Sequence, residues 1–120
     1  MKILIVEDEE ALNKILKEEL ASKGYDAKIA KDGEEGVKLA KSFRPELILL
    51  DLVMPKKGGL EVLEELKKDP YLKDVPVVVL SNLADDESIK KSLAMGASDY
   101  FVKNQHSIYE VIDKVEKYKK

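Results

Sequence analysis

Five polar positions stand where unbroken apolar runs stop. Ile3-Leu4-Ile5-Val6 runs into Glu7-Asp8, Leu47-Ile48-Leu49-Leu50 into Asp51, Val77-Val78-Val79-Leu80 into Ser81, and Tyr100-Phe101-Val102 into Lys103. Carboxylates brought together repel one another, and burying their charge unpaired is expensive, so something cationic must neutralise them. Lys103 can supply one charge and a divalent ion the rest. The ligands on offer are hard oxygens, which favours Mg²⁺, with Mn²⁺ an acceptable substitute, over zinc in a chain with a single histidine and no cysteine. A Mg²⁺ held by few protein ligands keeps positions open for phosphate oxygens. Beside it Lys103 is a point-charge phosphate binder and Ser81 a neutral donor. Asp51 is then a candidate nucleophile, since carboxylates form acyl-phosphate intermediates. The chemistry is in-line phosphoryl transfer, carried by positioning and charge neutralisation.

Such apolar runs, rich in β-branched residues, read as strands buried on both faces of a parallel sheet, whose ends gather along one edge. Helical periodicity fills the intervals. A first helix carries Leu12, Ile15, Leu16 and Leu20 on one face, with Gly24 after it, and a weaker strand over Ala27 to Ala30 alternates as an edge strand would. Asp32 and Glu35 fit a capping box for a helix carrying Val37, Leu39 and Ala40. A loop from Val53 to Gly59 leads to a helix using Val62, Leu63 and Leu66, which Asp69-Pro70 ends, and Pro76 opens the fourth strand. The fourth helix, about Asp86 to Met95, has a thin stripe of Ile89 and Leu93 and is lightly anchored; Gly96 closes it. The last helix starts with a Ser107/Glu110 capping box and shows Ile108, Val111, Ile112, Val115 and Tyr118 at helical spacing. Strict alternation of five strands and five helices predicts an α/β, flavodoxin-like doubly wound fold. Its parallel sheet has the order 2-1-3-4-5 inside a three-layer α/β/α sandwich. Ligands of such sheets sit at the switch point between the first and third strands, where Glu7, Asp8 and Asp51 fall.

At 120 residues the chain reads as one domain over 1–120, with no room for an effector domain. Charged residues make up 38%, which predicts solvated helix faces with pairs such as Glu10–Lys14 and Glu64–Lys68. A net charge of -3 gives no basic footprint, so direct nucleic-acid binding is disfavoured. The absence of cysteine rules out disulfides, thiolate metal sites and a cysteine nucleophile. No apolar stretch can span a bilayer and no secretory segment is visible, which predicts a cytoplasmic protein without membrane association.

The chain resembles a response-regulator receiver domain, the phospho-acceptor part of a two-component signalling system, over essentially its whole length. Glu7-Asp8, Asp51 with Met54-Pro55 and Gly58-Gly59, Ser81, the Gly96-Ala97 turn, and Tyr100 with Lys103 carry the resemblance. It implies that Asp51 is the residue phosphorylated from the phosphohistidine of a sensor histidine kinase or phosphotransfer protein. Glu7 (through water), Asp8, Asp51 and the Val53 carbonyl would hold Mg²⁺. Lys103 would contact the phosphoryl group, Ser81 would move to donate to it, and Tyr100 would be the aromatic switch. The readout would be the surface of the fourth helix, fifth strand and fifth helix, offered to a downstream protein target.

Four positions depart from the pattern. Asn104 follows Lys103 where proline is usual, and Asn82 replaces a small residue. Val53 and Leu83 are apolar where many relatives orient the attacking water, which implies slow hydrolysis of the phosphorylated form. His106 reads as an exposed loop residue without a role. A degenerate receiver or designed scaffold that binds partners without phosphorylation is one alternative. A Mg²⁺-dependent aspartyl phosphatase is another, although Val53 stands where its second carboxylate belongs. The chain is therefore expected not to turn over external substrates. A flavin-binding domain of the same fold is disfavoured by the acidic loop after the first strand.

Overall fold

The computed structural model describes residues 1–119. The elements are β1 (Lys2–Val6), α1 (Glu10–Ser22), β2 (Asp26–Ala30), α2 (Gly33–Phe43) and β3 (Leu47–Leu50). They continue with α3 (Gly59–Lys68), β4 (Val77–Ser81), α4 (Asp86–Ala94), β5 (Asp99–Val102) and α5 (Ile108–Lys117). All strand pairings are parallel, in the predicted order β2-β1-β3-β4-β5. Among the described residues no helix is long and apolar enough to cross a membrane.

The pleat divides the apolar runs between two cores. Leu4, Val6, Ile48, Leu50, Val77 and Val79 face α2 and α3, where they meet Ala40, Val62, Leu63 and Leu66. Ile3, Ile5, Leu47, Leu49, Val78 and Leu80 face α1 and α5, packing on Leu16, Leu20, Val111, Ile112 and Val115. Each of these large side chains contributes about 1.5–3 kcal/mol by leaving water. Both faces of β1, β3 and β4 are thus covered, which is why those strands read as unbroken rather than alternating.

Caps and faces differ from expectation in instructive places. The α5 capping box forms in full, whereas at α2 the Asp32 carboxylate accepts from Glu35 N while the Glu35 carboxylate reaches Lys31 N instead of the cap itself. Ile15 is 43% exposed, and Asn13 takes a place on the buried face of α1. Leu93 is also exposed; the residue of α4 that is buried is Ser92, whose hydroxyl donates to the Ile89 carbonyl at 3.0 Å. Glu64 pairs with Lys68 at 2.8 Å as expected, but Glu10 turns to Lys31 at 3.7 Å rather than to Lys14.

Candidate metal and phosphoryl site

The ladder of the sheet runs one residue beyond its strands and fixes the backbone of the polar positions. Glu7 N donates to Ala30 O at 2.9 Å, Asp51 N to Val6 O at 3.0 Å, and Lys103 N to Ser81 O at 2.8 Å. Each side chain is therefore launched from a backbone held by its neighbouring strand. Behind Asp51 the start of α3 comes so close that a Cβ at Gly59 would collide with the Asp51 carbonyl, so only glycine fits there.

Glu7, Asp8 and Asp51 place one carboxylate oxygen each within 4.8 Å of the others. Lys103 Nζ lies 2.7 Å from Glu7 Oε1, 3.3 Å from Asp51 Oδ2 and 3.7 Å from Glu9 Oε2. Glu7 is 2% exposed and Asp51 5%, whereas Asp8 opens to solvent. Burial pushes the Glu7 carboxyl up to about 7; the Asp51 charge adds to this, against the Lys103 hydrogen bond. Burial alone would lower Lys103, but its bond to Glu7 and the Asp51 charge outweigh this and hold it above the usual lysine value.

The hydrogen bonds assign different duties to the carboxylates. Both Glu7 oxygens are engaged, one by Lys103 and one by Glu9 N at 3.1 Å. Asp51 Oδ1 accepts from Val53 N at 3.3 Å, and Oδ2 faces Lys103. Of the three carboxylates, Asp8 is the one open to solvent, while Glu7 and Asp51 are buried behind it. An all-oxygen donor set beside one ammonium fits Mg²⁺ or Mn²⁺.

Ser81 and Tyr100 form a second group on the adjoining strands, joined through one residue. Leu83 N donates to Ser81 Oγ at 3.2 Å, and the Tyr100 hydroxyl donates to Leu83 O at 2.6 Å. Tyr100 is half-buried against the core rather than free in water, and burial raises its phenol above the usual range. Val53 is 60% exposed and Leu83 37%, and Asn82 between Ser81 and Leu83 is exposed as well. With Asn104 following Lys103, the β5–α5 loop turns by Gln105 N and His106 N donating to Val102 O, and every described peptide bond is trans. His106 is not idle: Nδ1 lies 2.9 Å from Glu110 Oε2, and its ring packs edge-on against Phe101.

Two contributors were not singled out from the sequence. Asn13, 1% exposed, donates from Nδ2 to the Glu7 carbonyl at 3.0 Å and ties α1 to the acidic loop. Its signal was there to find, since it lies on the same helix face as Leu16 and Leu20. Glu9 holds Glu7 through its amide and adds a further carboxylate facing Lys103.

Comparison with known proteins converges on one family. The probable transcriptional regulator ycf27 of Porphyridium aerugineum is 42% identical over 102 residues, which is 85% of this chain and 41% of that protein, so the chain spans well under half of its relative. The receiver domain of the Francisella response regulator 1452 superposes with a TM-score of 0.89 at 30% identity, covering 98% of this chain and 94% of that one. The response regulator Rcp1, solved in its Mn²⁺-bound form, gives 0.84 at 31% identity, covering 96% and 91%. The sequence profile of the response regulator receiver domain matches residues 3–116, and the chain belongs to that family.

Proposed function

We propose that this receiver domain accepts a phosphoryl group on Asp51 from the phosphohistidine of a histidine kinase or phosphotransfer protein. The observation that carries the proposal is the convergence of the Glu7, Asp8 and Asp51 carboxylates at the sheet edge, with the Lys103 ammonium paired to Glu7 and Asp51. In the transfer the P–N bond of the donor breaks as an Asp51 oxygen forms the P–O bond, and the imidazole leaves to pick up a proton. Asp51 is presented by the Val53 amide and the β3 ladder. Lys103, already poised between Glu7 and Asp51, moves its charge onto the incoming phosphoryl oxygens. Asp8, Asp51 and the Val53 carbonyl, with Glu7 through water, are the proposed Mg²⁺ ligands; the Mn²⁺ bound by Rcp1 supports a hard divalent ion. When bound, that ion neutralises charge and orients the phosphoryl oxygens.

Ser81 donates a hydrogen bond from its hydroxyl to the new phosphoryl group. Movement of Ser81 pulls on the Leu83 amide, and the Leu83 carbonyl is what the Tyr100 hydroxyl holds. The shift emerges on the α4–β5–α5 face, where Leu93 is 42% and Tyr109 61% exposed and available to a downstream protein target. No nucleic-acid contact is proposed for these residues, given the net charge of -3. Turnover of external phosphate esters is not proposed either, because Val53 supplies no acid or base.

The test is incubation with acetyl phosphate and Mg²⁺, read by intact mass beside Asp51→Asn. We expect a single phosphoryl adduct on the wild type and none on the variant. A wild type that gains no adduct contradicts the proposal, and steady phosphate release from other esters would favour a phosphatase.

A further inference from the structure

The loop from Leu52 to Gly58, which carries Val53, is clasped from both sides. Gly59 N donates to Leu52 O at 2.9 Å and closes the loop at its base, while Lys57 Nζ pairs with Glu65 Oε2 on α3 at 2.6 Å. On the other side the loop rests on the start of α2. A Cβ at Gly33 would fall well inside contact distance of the Lys57 carbonyl oxygen, carbonyl carbon and Cβ together. Lys56 Nζ faces the α2 cap, Asp32, at 3.6 Å. Between the two anchors the backbone has little slack. Pro55 has a fixed φ, Lys56 sits in the left-handed region at φ 68, and Lys57 N is bound to Pro55 O at 2.8 Å.

We propose that Gly33 is a positioning residue for phosphoryl uptake: its missing side chain seats the Lys57 carbonyl on α2 and so fixes the loop that aims Asp51. This rests on the function proposed above and goes beyond it, because Gly33 lies on a helix that supplies no ligand. A side chain there forces Lys57 outward by about 1 Å, a displacement of the size that can slow catalysis about 100-fold from a distance. Pro55 and the left-handed Lys56 cannot absorb the shift, so it passes to Val53, whose amide holds Asp51 Oδ1 and whose carbonyl is a proposed metal ligand. Both the aim of the nucleophile and the metal pocket are disturbed.

The experiment uses the whole chain, with acetyl phosphate as donor, and compares Gly33→Ala with Gly24→Ala. Gly24 has φ 90 and open space where a Cβ would point, so alanine there strains the backbone without touching the loop. Gly24→Ala is expected to lower thermal stability yet keep wild-type magnesium affinity and maximal phosphorylation rate. Gly33→Ala is expected to weaken magnesium binding and to lower the maximal rate at least tenfold, with half-saturation by acetyl phosphate unchanged. Should Gly33→Ala fail to fold, Lys56→Pro opens the loop from its own side, since proline cannot adopt a left-handed φ, and the same loss is expected. Wild-type rates in the folded variant overturn the role of Gly33 alone. A wild type that takes up neither metal nor phosphoryl group overturns this inference together with the function on which it rests.

Discussion

Glu7 is the residue whose environment departs furthest from its chemistry. Its carboxyl is raised from 4.5 to about 7 by burial, so the folded chain holds that proton more tightly than the unfolded one. The stability linked to this group is complete below the ordinary carboxylate value and is lost as pH rises through about 7. The carboxyls that are lowered, such as Asp32 and Glu110, act in the acid range, and raised Lys103 keeps its contribution throughout. We therefore expect metal-free protein to lose about 2–3 kcal/mol between roughly pH 5 and pH 8 in urea titrations, and Glu7→Gln to flatten that slope. A slope that survives in Glu7→Gln assigns the effect elsewhere. At the mouth of the site, Val53 and Leu83 offer nothing to orient a water, so the phosphorylated form should hydrolyse slowly and Val53→Asn should shorten its lifetime. An unchanged or longer lifetime in the variant would remove the basis for that view. Residue types and strand-end places were legible in the sequence because each polar residue interrupts an apolar run. Asn13 can be placed on the buried face of α1, but its bond to the Glu7 carbonyl cannot be read from the sequence, and neither can the contact of Glu9 with a lysine distant in sequence.

At the scale of elements, α4 and α5 make a contrast. The α5 helix has a complete capping box and buries Val111, Ile112 and Val115, whereas α4 buries Ser92. Little apolar area leaves water when α4 docks, so local opening needs little free energy. Amide exchange of Asp86 to Ala94 is expected to be markedly faster than that of Ile108 to Lys117, and to change on phosphorylation. Equal protection of the two helices would argue against a mobile output face. The light anchoring of α4 was readable from composition, but its inward face was not. A short helix beside the edge strand β5 is oriented by what it packs on, and here that favours the small Ser92 over Leu93. The same holds in α1, where Ile15 gives way to Asn13 because the Glu7 carbonyl needs a donor. The strands were legible throughout, since burial on both faces leaves an unbroken signature.

For the molecule as a whole, parallel pairing brings Glu7-Asp8, Asp51 and Lys103, three separated stretches of sequence, into one pocket. α1 and α5 cover one face and α2 and α3 the other, so the crossovers diverge where β1 lies beside β3. That divergence opens the crevice in which Glu7, Asp8 and Asp51 converge, as the rule for doubly wound sheets requires. Alternation and handedness leave few strand orders, of which the observed one is the commonest for a chain of this length. The closeness of Lys103 to Glu7 did not, because it depends on side-chain reach across the carboxyl edge. Calorimetric titration of the folded wild type with Mg²⁺ tests the account most directly. It should show uptake at a single site that Asp8→Asn abolishes or strongly weakens; a wild type that takes up no magnesium, or binds it equally well without the Asp8 carboxylate, would contradict it.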